Sequence, residues 1–174
     1  MYFYSKKLMI VVLSTALISV SFQAFSSSSS KEYMLNNGAY VQIDISSTHN
    51  NKAELEVKMP IMNAYGNDGK SQKPEDQNIR NDVDNYLKNN ISKIVSFDKD
   101  LACKYEFKKF EHDEQDKEIE VKFNLICKSD LHGKKVNFDF SNKFKNIQKI
   151  YYELEGKHEV KNSLSQNKGN AIIQ

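Results

Sequence analysis

Cys103-Lys104-Tyr105-Glu106-Phe107-Lys108, followed after a polar stretch by Glu118-Ile119-Glu120-Val121-Lys122-Phe123-Asn124-Leu125-Ile126-Cys127, decides the fold. In the first arm Cys103, Tyr105 and Phe107 share one parity, with Lys104, Glu106 and Lys108 between them. In the second, Ile119, Val121, Phe123, Leu125 and Cys127 alternate with Glu118, Glu120, Lys122 and Asn124. A period of two marks a strand with one buried face. Glu111-His112-Asp113-Glu114-Gln115-Asp116-Lys117 is polar throughout and is expected to be the solvated tip of a hairpin. Pairing the arms so that partner numbers sum to 230 sets Cys103 opposite Cys127, Tyr105 opposite Leu125 and Phe107 opposite Phe123. The apolar side chains and both sulfurs then fall on one face, so a cross-strand disulfide, Cys103 to Cys127, is expected.

Outward from this hairpin, the 174-residue chain with 39% hydrophobic residues is long enough to bury a core. Residues 1–26 have the form of a signal peptide. Lys6 and Lys7 precede an apolar run from Leu8 to Val20, and Ala24-Phe25-Ser26 places small residues at a cleavage point. Removing Lys6 and Lys7 takes the formal charge of +2 to zero. A neutral exported chain has no global field for nucleic acid or an anionic membrane, so neither partner is expected, nor is membrane insertion of the mature chain. In an oxidising compartment a pair of cysteines is normally bridged. Closing this loop is worth roughly 3 kcal/mol.

Residues 27–36, serine-rich at first, are expected to be a polar lead-in, and residues 37–174 a single domain. Ala39, Val41, Ile43 and Ile45 alternate in the first strand, and Lys52 to Met59 alternates in a second that stops at Pro60. Pro74, Glu75 and Asp76 open a helix. Ile79, Val83, Tyr86, Leu87, Ile91 and Ile94 carry its apolar stripe to Leu87 and, past a break at Asn89-Asn90, towards Val95. Val136, Phe138 and Phe140 form a short strand, Phe144 and Ile147 a helical turn or two, and Lys149 to Glu155 a further strand. Short strands near 158–161 and 170–173 finish the chain. The predicted class is α+β: an antiparallel sheet built from hairpins, with one main helix and a short second helix packed on one face.

Three segments carry a resemblance to a known family. Gly38-Ala39-Tyr40-Val41-Gln42-Ile43 leads to Glu54-Leu55-Glu56-Val57-Lys58-Met59-Pro60. Leu101-Ala102-Cys103 precedes an acidic loop and Phe123-Asn124-Leu125-Ile126-Cys127. Phe140, Phe144, Ile147, Ile150 and Tyr152 recur in a closing segment. In order and spacing these resemble the ZrgA-like group of bacterial periplasmic proteins associated with zinc uptake. The resemblance implies a periplasmic accessory protein, zinc as the bound ion, and a component of a metal-uptake system as partner. Family members typically carry histidines before the first strand and a long histidine-rich insert between the cysteines. Here the first place reads Asn36-Asn37, and the insert has shrunk to Glu111–Glu118 with His112 as its one imidazole.

Zinc takes imidazole, thiolate or carboxylate ligands, four when closed and three when a position stays open. His112, Asp113, Glu114 and Asp116 are therefore the candidate ligands, forming a loose N/O site that binds a divalent ion weakly. His132 and His158, both in loops, join them only if the fold brings them near; His49 lies in the turn of the first hairpin. The alternative is a metal-independent periplasmic protein-interaction module on the same scaffold, with Tyr151 or Phe110 as contact residues. No enzyme is expected, because G-x-S-x-G, H-E-x-x-H and a phosphate loop are all absent and no cysteine is left unpaired as a nucleophile.

Overall fold

A computed structural model describes residues 37–113 and 115–174. The expected signal peptide at 1–26, the lead-in at 27–36 and the candidate ligand Glu114 lie outside the described residues. Among the described residues, nine strands and two α-helices follow in the order β1 (Gly38–Ile45), β2 (Lys52–Pro60), α1 (Ile61–Tyr65), α2 (Pro74–Asn90), β3 (Val95–Phe97), β4 (Lys104–Asp113), β5 (Glu118–Ile126), β6 (Lys135–Asp139), β7 (Lys149–Glu155), β8 (Glu159–Leu164) and β9 (Lys168–Ile172). Short 3-10 turns cover Ile91–Lys93 and Lys99–Leu101. The α+β class stands. No described helix is long and apolar enough to cross a membrane.

The strands form two sheets, ordered β4-β5-β2-β1-β7-β8 and β3-β6-β9. All pairs are antiparallel except β1 with β7, which run parallel from Gly38↔Lys149 to Asp44↔Glu155. This corrects the all-antiparallel expectation. A parallel neighbour cannot be reached by a tight turn, and here most of the chain intervenes between the two strands. The hydrophobic sequence Ile150-Tyr151-Tyr152 reflects a strand covered on both faces: every residue from Ile150 to Leu154 is buried.

One face of the larger sheet carries Val41, Ile43, Leu55, Val57, Val121, Phe123 and Leu125. They join a single core with Val83 and Leu87 of α2, Ile91, Ile94 and the aromatics Phe138, Phe140 and Phe144. The expected helical stripe is thus used from Val83 onward, whereas Ile79 stays 44% exposed. The second short helix is Ile61–Tyr65, not the segment around Phe144. There, Asp139 Oδ1 accepts both the backbone N–H and the hydroxyl of Ser141 and draws the chain into a turn before a helix can start. Phe144 and Ile147 are nonetheless fully buried.

The disulfide forms as expected, with an S–S distance of 2.00 Å. It lies just outside the first pair of the hairpin, Lys104↔Ile126, and so closes its base.

Candidate cation site at the β4–β5 hairpin

The hairpin keeps the expected register from Tyr105↔Leu125 to Phe107↔Phe123, and then a β-bulge admits one extra residue. Beyond it the pairs are Lys109↔Lys122, Phe110↔Val121, Glu111↔Glu120, His112↔Ile119 and Asp113↔Glu118. Side chains alternate along each strand, so this one-residue shift turns Phe110 and His112 towards the face that carries Val121 and Ile119. Lys109, Glu111 and Asp113 take the opposite face. Lys108 pairs with Glu54, and Lys109 reaches Glu111 at 2.5 Å. The first strand runs further than the sequence pattern indicated, to Asp113, while the second starts at Glu118 as expected, which leaves only four residues between them. His112 is therefore part of a strand and not of a solvated loop.

On the inner face His112 meets two elements at once. Its Nε2 lies 2.5 Å from the hydroxyl of Tyr65 on α1, and that hydroxyl donates to Asp84 Oδ1 on α2 at 2.7 Å. Asp84 Oδ2 is 3.5 Å from His112 Nε2. Burial, and then the bond to Asp84, hold the Tyr65 phenol far above the usual tyrosine range, so it stays a neutral donor. The rings of Phe110 and His112 pack edge-to-face with their centroids 5.2 Å apart, and Lys88 sits over the Phe110 ring. α1 is placed for this contact by its own ends. Gly66 closes it in the left-handed region (φ 75°), which a side chain would strain, and the N–H of Ile61 bonds the Lys117 carbonyl at the hairpin tip. Arg80 of α2 bonds the carbonyls of Gly69 and Ser71, fixing the loop between the two helices.

On the other side of the tip, Asp113, Asp116 and Glu118 offer carboxylate oxygens that all lie within 4.8 Å of one another. Asp113 Oδ1 accepts the backbone N–H groups of Gln115 and Asp116 at 2.9 Å each, so one of its oxygens already shapes the turn. Two of the expected ligands, Asp113 and Asp116, are thus brought together. His112 faces away from them, and Glu118, which the sequence pattern assigned only to a strand, takes its place. Its proximity follows from pairing opposite Asp113, which requires the first strand to extend to that residue.

The remaining histidines do not converge on the hairpin. His132 Nδ1 lies 2.8 Å from Asp130 beyond the far end of β5. Hydrogen bonds from the His132 backbone and ring hold the Asp130 carboxyl down at about 2. His158 is exposed between β7 and β8, and His49 contacts Thr48 in the turn between β1 and β2.

A second acidic group, Glu153, Glu155 and Glu159, occupies the outer face at β7 and β8, again with oxygens within 4.8 Å. Burial, then the neighbouring Glu153, Asp44 and Glu159, push Glu155 up to about 7. Glu153 moves the other way: against the cost of burial, Lys161 and the Tyr40 hydroxyl hold it below the ordinary value. Sequence reading missed this group because its members come from two strands and register alone unites them.

A family model described as ZrgA family zinc uptake protein matches residues 39–173. The chain belongs to this family. Comparison with curated proteins finds no match. In this ZrgA-family chain both sulfurs are tied up in the disulfide and no free cysteine exists, so thiolate cannot serve as a ligand. Imidazole and carboxylate are what the hairpin offers a cation.

Proposed function

We propose that this ZrgA-family chain is a periplasmic, non-enzymatic accessory of zinc uptake that binds a divalent cation weakly at its hairpin tip and passes it to an uptake component. The observation that carries this is the convergence of Asp113, Asp116 and Glu118. Family membership supports the link to zinc uptake, and the internal disulfide is consistent with export. An exposed all-oxygen trio lacks the nitrogen and sulfur ligands of a tight zinc site. Affinity is expected in the roughly 10⁻⁴ to 10⁻³ M range of weak oxygen sites, which suits an ion that must be released.

Isothermal titration of the tag-free protein with zinc tests this. Heat is expected from the parent, and much less from a variant carrying Asp116→Asn and Glu118→Gln. No heat above the buffer blank at about 1 mM metal, the weak end of that range, ends the proposal.

A metal-independent interaction module is the second reading, favoured by the engagement of Asp113 Oδ1 in the turn and of His112 with Tyr65. Its contact residues need revision. Tyr151 is only 6% exposed and Phe110 is partly buried, whereas Phe107 is 50% exposed on the edge strand. On this reading the titration is silent.

A further inference from the structure

Register lines up like charges across one corner of the outer face. Glu159 of β8 lies opposite Glu155 of β7, Glu155 opposite Asp44 of β1, and Asp44 opposite Glu54 of β2. Like charges set directly opposite one another destabilise a sheet. Lys108 answers Glu54 from β4, and Lys161 answers Glu153 at 3.0 Å and Glu159 at 2.6 Å. Among the described residues no lysine pairs with Glu155, which instead bonds its neighbour Glu153. Two carboxyl groups can share such a bond only when one carries a proton. Lys161 and the Tyr40 hydroxyl, at 2.9 Å, hold Glu153 ionised, so the proton belongs to Glu155.

The turn that follows Glu155 rests on a histidine. A Cβ at Gly156 would lie 3.2 Å from His132 Nε2 and closer still to the Gln174 carbonyl, so the bare glycine is laid directly on the ring. Asp130 holds the other ring nitrogen, and the His132 side chain is only 13% exposed. β8 is an edge strand, paired with β7 alone. Its far end is pinned where Leu164 packs on Gly169 of β9, but its first pair, Glu155↔Glu159, has only the turn beyond it.

We propose that Glu155 is a proton-operated catch for the β7–β8 turn: protonated, it holds the turn closed over His132, and ionised, it lifts the turn and uncovers the imidazole. Burial and the surrounding carboxylates place the change near 7, so the catch is closed in mildly acidic surroundings and open in alkaline ones. The groups facing Glu155 set both the force and its limit. Asp44 from β1, Glu153 on β7 and Glu159 from β8 repel its anion. Gln42 and Tyr40 of β1 are neutral, Glu54 of β2 is matched by Lys108, and Lys157 and His158 in the turn are exposed. Lys161 ties β8 to Glu153 at the next pair, Glu153↔Lys161, and stops the opening there. This catch is separate from the cation role proposed for the hairpin tip.

The test compares the parent with Glu155→Gln, which keeps a donor for Glu153 but cannot ionise. Carbethoxylation at pH 6 and pH 8, read at each histidine by mass spectrometry, reports the cover on His132. His49, exposed in the turn between β1 and β2, is the internal standard. The His132 rate relative to His49 is expected to rise several-fold from pH 6 to pH 8 in the parent, and much less in Glu155→Gln. The ring's own titration is common to both proteins and cancels. Glu159→Gln, which removes the carboxylate opposite, is expected to fall between them. Melting curves check that each protein stays folded at both pH values. Amide exchange of Val160 at pH 8 is expected to be insensitive to low urea, the mark of a local opening. Equal rises at His132 in the parent and in Glu155→Gln overturn the proposal, as does no rise in the parent. A urea dependence at Val160 as steep as that at Val41 overturns it too, because Val160 then opens only with the whole fold.

Discussion

Glu155 is the residue at which the outer face of the sheet is under electrostatic load. Its carboxylate sits among Glu153, Asp44 and Glu159, and Gln42 donates to it at 3.0 Å. Because folding raises this group from 4.5 to about 7, the folded chain binds more protons than the unfolded one between those values. Stability from this group therefore falls as pH rises through that window, and is recovered on acidification towards 4.5. Melting temperatures of the parent and of Glu155→Gln at pH 5 and pH 8 check this. The parent is expected to lose more on going to pH 8, and equal losses in both proteins would count against it. Nothing in the sequence around Glu155 announced this behaviour. Asp44 reaches it only through the parallel pairing of β1 with β7, and Glu159 only through the turn into β8.

At the scale of the element, the β4–β5 hairpin was largely legible, including its disulfide, because alternation in both arms is strict up to Phe107. The bulge was the part not read. A signal for it did exist: Phe107 and Phe110 are three apart, so a regular strand cannot put both on one face, and an extra residue between them can. His112 inherits its inward direction from that shift, which is why a histidine assigned to a solvated tip ends against Tyr65 and Asp84 instead. The bridge at the base makes its own prediction. Replacing both Cys103 and Cys127 by Ser should lower stability by roughly 3 kcal/mol in urea unfolding, with the native pairing from Tyr105 to His112 retained. A loss under about 1 kcal/mol would mean that the unfolded chain is already constrained without the bond.

Across the whole molecule, periodicity located every strand pattern in the larger sheet but not the order in which the strands lie. Hairpin partners such as β1 with β2 and β7 with β8 are adjacent in sequence and joined by turns, so their pairing could be read locally. The β1–β7 pair and the three-stranded sheet β3-β6-β9 depend on contacts between distant segments, for which composition carries no register. β3 is three residues long and continues the apolar run of the helix stripe, so it had no pattern of its own. The resulting order places β2, β1 and β7 inside the sheet and β4 and β8 at its margins. Amide hydrogen exchange should follow that order, slowest at Val41, Val57 and Leu154 and fastest at the outer amides of β4 and β8. Protection in β8 equal to that in β1 would contradict this arrangement, or reveal a cover for that margin.

The covalent crosslink and the carboxylates Asp113, Asp116 and Glu118 occupy opposite ends of the same ribbon. Ile61 and Tyr65 grip the far end through the Lys117 carbonyl and the His112 ring, independently of sulfur chemistry. A reductant would unfasten the ribbon at its root while its far end stayed docked. The arrangement of the hairpin tip should therefore be insulated from thiol status, with oxidation setting how long the molecule survives and not how that end is built.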